Sequence, residues 1–380
     1  MDFYIGTNSI IFNYILMAMI LIHVILMVPV LKREYKYKVN GRISNTIATI
    51  LIVVIAIFLI IPYPDGGYLM PYPVNYFAVV FGSAWLGVVA ISMKVARKRD
   101  EEEYNKKLLA GLHEAASGGA TLEIHNFSYR NELLRKAVHL MSSMYLLAFI
   151  LTALIFSLIF NNIYAVHPER YLKEEYWNVF ILSNKEVNPM KSEISILLLA
   201  LIGSFFVQNT GEIMRLRSPD KNFILKRTLQ KTRRATESYI FGAHIDIVVG
   251  FTFSSIILVF SPTWRYNGIM GIFALVLTSC LADMSMALFG RKWGTKKWKI
   301  NKDKSYVGSA AGMIVAFLTS FLFVGWFLAI ITTLVVLFND LIIAKYKISD
   351  NLSNPVVLGI VYRLLIFMVN PLLPRFWYIV

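Results

Sequence analysis

The chain reads as an all-α, polytopic transmembrane helix bundle of about ten spans, with nine as the alternative count, and three observations predict it. Of its 380 residues 57% are apolar and only 16% charged. The mean hydropathy is +0.59. The 38 Lys and Arg residues, set against 23 Asp and Glu for a formal charge of +15, are gathered in blocks between long apolar runs. That balance excludes a soluble globular protein, a disordered chain and a disulfide-stapled secreted module. Nucleic-acid binding would need a soluble domain to carry the charge, and no polar stretch much exceeds about forty residues. The single cysteine, Cys280, lies inside an apolar run, so there is neither a disulfide framework nor a thiolate cluster. The first apolar run is long enough to span and has no small-residue cleavage site, so it is not a cleaved signal peptide.

A run of about 18 to 25 apolar residues crosses a ~30 Å hydrocarbon core as helix. Such runs fall near 9–31, 45–62, 74–93, 137–161, 194–213, 239–260, 267–289 and 354–371. A ninth, 307–338, would make a straight helix of about 48 Å. With Gly325 near its middle, it is either a steeply tilted crossing or a tight helical hairpin. The cations choose between these. Five lie in 32–43, nine in 94–136, eight in 215–238 and seven in 290–306, and Lys345 and Lys347 join the same side only if 307–338 folds back. The positive-inside rule makes that side cytoplasmic, which predicts ten spans with both termini outside. Between the spans, 97–116 carries Glu102–Lys106 and Glu103–Lys107 at i, i+4, as a short solvated helix does, and Ser117-Gly118-Gly119 ends it. The 162–193 loop mixes both charges with Tyr171, Tyr176 and Trp177 and reads as an external interfacial segment. No internal repeat is visible, which weakens an inverted-repeat transporter reading.

Ionisable groups inside spans cost on the order of 3 kcal/mol each on insertion scales, so each is a candidate for function. Asp283 lies about two turns before Arg291, with the small Ala287 and Gly290 at i+4 and i+7, leaving room for a ligand. A carboxylate at that depth needs a metal, a cation or a proton. Arg135, His139 and Ser142 share a face at the start of the fourth span. The fifth span ends in Glu212 and Arg215; Arg234 and Glu237 precede the sixth, which contains His244 and Asp246; Asp340, Asp350 and Asn351 follow the long run. All of these fall at cytoplasmic ends and point to one cytoplasm-facing cavity. Glu212 with Arg215, and Arg234 with Glu237, also have the plain reading of helical i, i+3 ion pairs. His23 has no ionisable companion and reads as structural, and Arg363 reads as a structural partner or a snorkelling side chain.

Seven cations crowd the fifteen residues from Arg291 to Ser305. Such density grips anionic lipid heads, but Gly290, Gly294 and Gly308 also permit tight backbone turns around a polyanion. Lys304-Ser305 followed by Gly308 opens the next helix, whose first amides can bind phosphate. With Asp283 beside it, the loop has cations, free amides and a carboxylate for Mg²⁺, the parts needed for a triphosphate. No Gly-x4-Gly-Lys-Ser/Thr pattern is present, so this is not a P-loop.

The stretch Ala282-Asp283-Met284-Ser285-Met286-Ala287-Leu288-Phe289-Gly290-Arg291-Lys292-Trp293-Gly294, then Lys304-Ser305 and Gly308-Ser309, resembles the nucleotide-binding signature of the CTP-dependent polyprenol kinase family, which includes dolichol kinases, phytol kinases and CTP-dependent diacylglycerol kinases. Three more pieces match in order: Arg135-Lys136-x-x-His139; Glu212-x-x-Arg215 followed by Arg234-x-x-Glu237; and Asp350-Asn351-Leu352 with Pro355. The resemblance runs from about 131 to 360. It divides the chain into an accessory three-span segment (1–94), a cytoplasmic loop (95–130) and a catalytic transmembrane core (131–380). Where the family usually shows Lys-Ser-x-Glu-Gly this chain has Val307 in the acidic place, and Asp340 stands near the acidic position that members carry before their Asp-Asn.

The resemblance implies transfer of the terminal phosphoryl of CTP to a membrane isoprenoid alcohol, dolichol or a similar polyprenol, with Mg²⁺ or another divalent cation. In that scheme Asp283 is catalytic and holds the metal, with Glu212 as a second metal ligand or cavity wall. Gly290, Arg291, Lys292, Gly294, Lys297, Lys304, Ser305 and Gly308 bind the nucleotide, and His139, or Asp246 one layer deeper, accepts the alcohol proton. Arg135, Lys136, Arg215, Arg234, Glu237, Asp350 and Asn351 support the site. A membrane CTP:phospholipid cytidylyltransferase and a transporter are the competing classes.

Overall fold

The computed structural model describes residues 2–36, 38, 41–62, 69–70, 74–96, 133, 136, 189–217, 242–259, 265–343, 346 and 348–369. Every regular element among them is helical. In chain order these are α1 (Asp2–Lys36), α2 (Arg42–Phe58), α3 (Val74–Ala96), α4 (Pro189–Arg217), α5 (Ala243–Val259), α6 (Arg265–Trp293), α7 (Tyr306–Phe338), a π-helical turn (Asn339–Ile343) and α8 (Asp350–Val369). Five stretches are long and apolar enough to cross a membrane: Ser9–Lys36, Val74–Ile91, Leu197–Met214, Met270–Trp293 and Tyr306–Ile343. Arg42–Phe58 and His244–Val259 are shorter apolar helices. The expected span at 137–161, the helix at 97–116 and residues 162–188 and 218–241 lie outside the described residues, while the last five residues of the expected 162–193 loop are helical and open α4.

The long run folds back. Gly325 has φ 78° and ψ 171°, a backbone that L side chains rarely adopt, and it separates arms 306–324 and 326–338. The hydroxyl of Ser309 donates to Asp340 Oδ2 at 2.9 Å across a sequence separation of 31, which a straight helix would stretch to about 46 Å. Only a hairpin with Gly325 at its apex closes that distance. Its first arm lies antiparallel to α6, where Phe273 stacks on Phe323 and Thr278 hydrogen-bonds Thr319 and Ser320, each at 2.9 Å. The second arm packs on α8 through Thr332–Tyr362 at 2.7 Å and Asn339–Asn354 at 2.9 Å.

The N-terminal helices join the same bundle. α1, α3 and α4 run side by side: Asn75 donates to Ser9 O and Asn13 Oδ1, a Cβ on Gly82 would strike Met19 and Phe206, and the His23 ring sits 5.0 Å from that of Phe206. His23 is buried and pairs within its own helix, through Nδ1 to Met19 O at 3.0 Å, in keeping with a structural role. α2 returns beside α5, and α5 runs parallel to α8, with Ser254 donating to Pro355 O at 2.7 Å. A small void lined by Ile20, Ile52, Ile55, Ile202, Phe205, Val249 and Thr252 lies where α1, α2, α4 and α5 meet.

Candidate functional site

The polar contacts gather at one end of this bundle. α1 ends there with Glu34 accepting from Asn45 Nδ2 at 2.8 Å, and α2 begins there with Ser44 donating to Asp246 Oδ2 at 3.1 Å. α4 ends there with Glu212, α6 with Asp283, and the hairpin begins and ends there with Ser309 and Asp340. Helix direction alternates so that the cation-rich connections fall at this end, as the charge pattern requires.

At its centre the ammonium of Lys136 is hydrogen-bonded to Asp283 Oδ2 in a buried ion pair across 147 positions of sequence. Both side chains are almost wholly enclosed, Lys136 at 3% exposure and Asp283 at 7%. A second pair joins Lys304 Nζ to Asp340 Oδ1 at 2.5 Å. Burial weakens the proton affinity of Lys304, but Asp340, Asp350 and Asp283 all act on it and more than reverse that effect, so its pKa lies above the ordinary lysine value and the group is a fixed cation. Two lysines therefore face three aspartates. Asp350 opens α8 and accepts from the Asn351 N–H at 3.0 Å.

The basic loop between α6 and α7 is a compact two-sided hairpin. Lys297 and Ser305 pair across it, the Trp298 N–H donates to Lys304 O at 3.0 Å, and the Tyr306 N–H donates to Lys296 O at 3.2 Å. Its inner side is tied down: Trp298 Nε1 donates to Ser309 Oγ at 3.1 Å, its ring lies 4.0 Å from that of Tyr306, and Asn301 Nδ2 donates to Asp340 O at 3.3 Å. Lys304 turns inward, whereas Arg291, Lys292 and Lys297 are exposed. Of the expected phosphate-binding cations, Lys304 is the one turned onto Asp340.

The glycines do something other than turn around an anion. A Cβ on Gly308 would lie 2.7 Å from Met286 O and 2.9 Å from Gly290 Cα, and one on Gly294 would overlap Gly290 O and Ser305. None of the three has positive φ. They let the end of α6 and the start of α7 approach backbone to backbone. The expected free amide at Gly308 is likewise engaged, because Ser305 caps α7 by accepting that N–H at 3.1 Å.

The Glu212 carboxylate accepts from the Gly242 N–H at 2.9 Å and pairs with His244 Nε2 at 3.5 Å, which caps the first turn of α5. Asp246 meets Ser44, and that same hydroxyl accepts from the Ser349 N–H at 3.3 Å, one residue before Asp350. Ser44, Asn301 and Trp298 were not legible as site residues: each gains its role from a partner on another helix or across a tight loop, and no local spacing marks them. Arg135, His139, Arg234 and Glu237, and the side chain of Arg215, lie outside the described residues.

Asp283, Asp340 and Asp350 offer hard oxygen donors of the kind Mg²⁺ takes. Among the described residues no three or more His, Cys, Asp or Glu side chains form a ready ligand set. An ion that keeps water and phosphate oxygens in its shell needs only one or two carboxylates. The described residues therefore form no all-protein cage, and these aspartates are the hard oxygen donors on hand for a divalent cation that keeps other ligands.

No family model matches the chain, and neither a curated protein nor a solved structure is detectably similar to it.

Proposed function

We propose that the chain is a membrane lipid kinase that moves the terminal phosphoryl of CTP onto an isoprenoid alcohol, dolichol or a similar polyprenol, giving the lipid monophosphate. The observation that carries this reading is the Lys136–Asp283 pair, which joins two pieces of the resemblance from distant parts of the chain. Lys304 and Asp350, from two further stretches of it, act at the same place. The reading includes ten spans with both termini outside, so that the cation-rich end faces the cytoplasm and CTP.

Two lysines and three aspartates carry a net negative charge and would repel a bare triphosphate. A nucleotide arriving with its divalent cation presents both signs, and the site answers both: Asp283 and Asp350 would hold Mg²⁺, which supplies charge neutralisation along the phosphate chain. Lys136 and Lys304, released from their aspartates, would then neutralise phosphate oxygens, and Arg291, Lys292 and Lys297 would close from the loop. Asp340, already against Lys304 and Ser309, would serve where exposed Val307 replaces the family's acid. The alcohol oxygen would bond to the terminal phosphorus as the bond to the bridging oxygen breaks, CDP leaves and the hydroxyl proton passes to His139. The apolar tail would stay in lipid throughout. α6 continues without a break through Asp283, which favours this reading over a transporter with a discontinuous midplane helix.

The test is purified protein in lipid with a panel of prenols and CTP or ATP labelled at the terminal phosphate, alongside Asp283→Asn. Label should enter the lipid and should be lost with the variant. Transfer that survives Asp283→Asn unchanged overturns the assignment. Cytidine label entering phospholipid identifies a cytidylyltransferase instead, and no transfer with any alcohol removes the kinase reading.

A further inference from the structure

The loop between α6 and α7 has an outer side that the phosphate-handling reading does not use. Lys296, Lys299 and Lys302 are exposed there, and so are Ile300, 53% accessible, and Trp293, 50% accessible, at the loop's root. Trp293 lies under the Lys292 ammonium at 4.5 Å and beside the Phe289 ring at 4.9 Å. Cross-loop backbone bonds and the anchoring of Trp298 and Asn301 hold the inner side, so the outer lysines stand on a fixed frame. That frame is suspended between two stretches long and apolar enough to cross a membrane, one ending at Trp293 and the other starting at Tyr306. Twelve intervening residues tied into a tight hairpin cannot reach far from the bilayer surface.

We propose that the outer side of this loop is a binding surface for anionic phospholipid headgroups, with Lys296, Lys299 and Lys302 meeting the phosphates and Ile300 and Trp293 entering the interfacial layer. The charges are complementary, since a single acidic residue, Asp303, accompanies these lysines in 294–305. Clustered lysines beside a spanning helix attract acidic lipid, and an indole at that level is a common interfacial anchor. The same contact would hold the loop's inner side, with Lys304, at a constant height over the bundle end. The proposal stands independently of the kinase reading because it concerns exposed side chains that have no part in that reading.

The test uses the full chain in detergent, with phosphatidylglycerol and phosphatidylcholine as probes and retained lipid counted by native mass spectrometry. The wild type should hold phosphatidylglycerol in preference to phosphatidylcholine. The combined Lys296→Gln, Lys299→Gln and Lys302→Gln variant should lose phosphatidylglycerol affinity by about tenfold while phosphatidylcholine is unaffected. Arginine at the same three positions should restore binding, which separates lost charge from lost folding. Equal retention by wild type and glutamine variant overturns the proposal. So does displacement of the bound phosphatidylglycerol by CTP or ATP, which would assign these lysines to a nucleotide.

Discussion

Two buried polar regions sit at opposite ends of the bundle and solve the same problem differently. Near the start of α1, Ser9, Asn13 and Asn75 form a neutral cluster in which Asn13 Nδ2 and Asn75 Oδ1 find no partner among the described residues. At the other end, Asp283 and Asp340 each take a lysine, and Asp350 acts on the same charges. Neutral amides can be buried half-satisfied at a modest cost, because no charge is taken out of water. An ionised carboxylate costs far more to bury, and Asp283 and Asp340 each have an ammonium beside them. The difference teaches where exchange is possible: an amide cluster holds helices together, whereas an ion pair can trade its partner for an incoming charge.

The sharpest way to break the comparison is to strip one charge. Lys136→Met leaves Asp283 buried without its ammonium and should cost about 3–5 kcal/mol of stability, read as a lowered thermal midpoint in detergent. Adding Asp283→Asn should recover most of that loss without recovering phosphoryl transfer. A Lys136→Met protein as stable as the wild type would show that the pair is not the centre of the site.

Next in size is the glycine seam that brings the loop to the aspartates. Gly308→Ala drives a methyl into Met286 O and Gly290 Cα, backbone that cannot step aside, and should cost about 1–3 kcal/mol. At Gly312 the added carbon meets only the flexible Met286 side chain, so Gly312→Ala should be the milder change by the same thermal measurement. Reversal of that order would mean the helices do not touch through Gly308.

Smaller still is the effect expected at the neutral end. Asn75→Leu removes an amide whose Oδ1 is already unsatisfied and should cost about 1 kcal/mol, with transfer rates within about twofold of wild type. A large loss of activity there would erase the distinction between the two ends.

The smallest effect concerns pH. Lys304 has a raised folded-state pKa, so the stability it gains from its aspartates is whole below the ordinary lysine value and is lost only as pH rises through the higher folded value. The stability gap between wild type and Lys304→Gln should therefore be the same at about pH 7 and about pH 9. A wild type that gains stability relative to Lys304→Gln as pH rises over that window would mean a lowered folded value, and the surrounding carboxylates would then not hold the lysine.

Apolar run length alone made most of the helices legible. The runs 9–31, 74–93, 194–213 and 267–289 became α1, α3, α4 and α6, each longer than its apolar stretch because the helix continues into the flanking polar turns. The runs 45–62, 239–260 and 354–371 became α2, α5 and α8, with their ends displaced by a few residues. Cation counting chose the hairpin over the tilted helix, and Gly325 marks its turn. Asp283, Lys304, Asp340 and Asp350 were legible because charge inside an apolar chain is conspicuous. What escaped were roles set by neighbours. Nothing beside Ser44 in sequence says that it will touch Asp246 and Ser349, 202 and 305 positions away. Nothing beside Glu212 in sequence says that α5 will begin under its carboxylate. The glycines of 290–308 looked like loop residues because a close helix crossing and a tight turn ask for the same missing side chain.

The hairpin centred on Gly325 works as a gauge. Ser309 stands 16 positions before Gly325 and Asp340 stands 15 after it, and that near-equal spacing brings Ser309 and Lys304 at one foot to Asp340 at the other. One residue inserted in either arm would rotate everything beyond it by about 100° and advance it by about 1.5 Å, swinging the carboxylate off its partners while leaving hydropathy and length almost unchanged. Spacing across that turn is thus as much a part of the chemistry as the acidic group at its end.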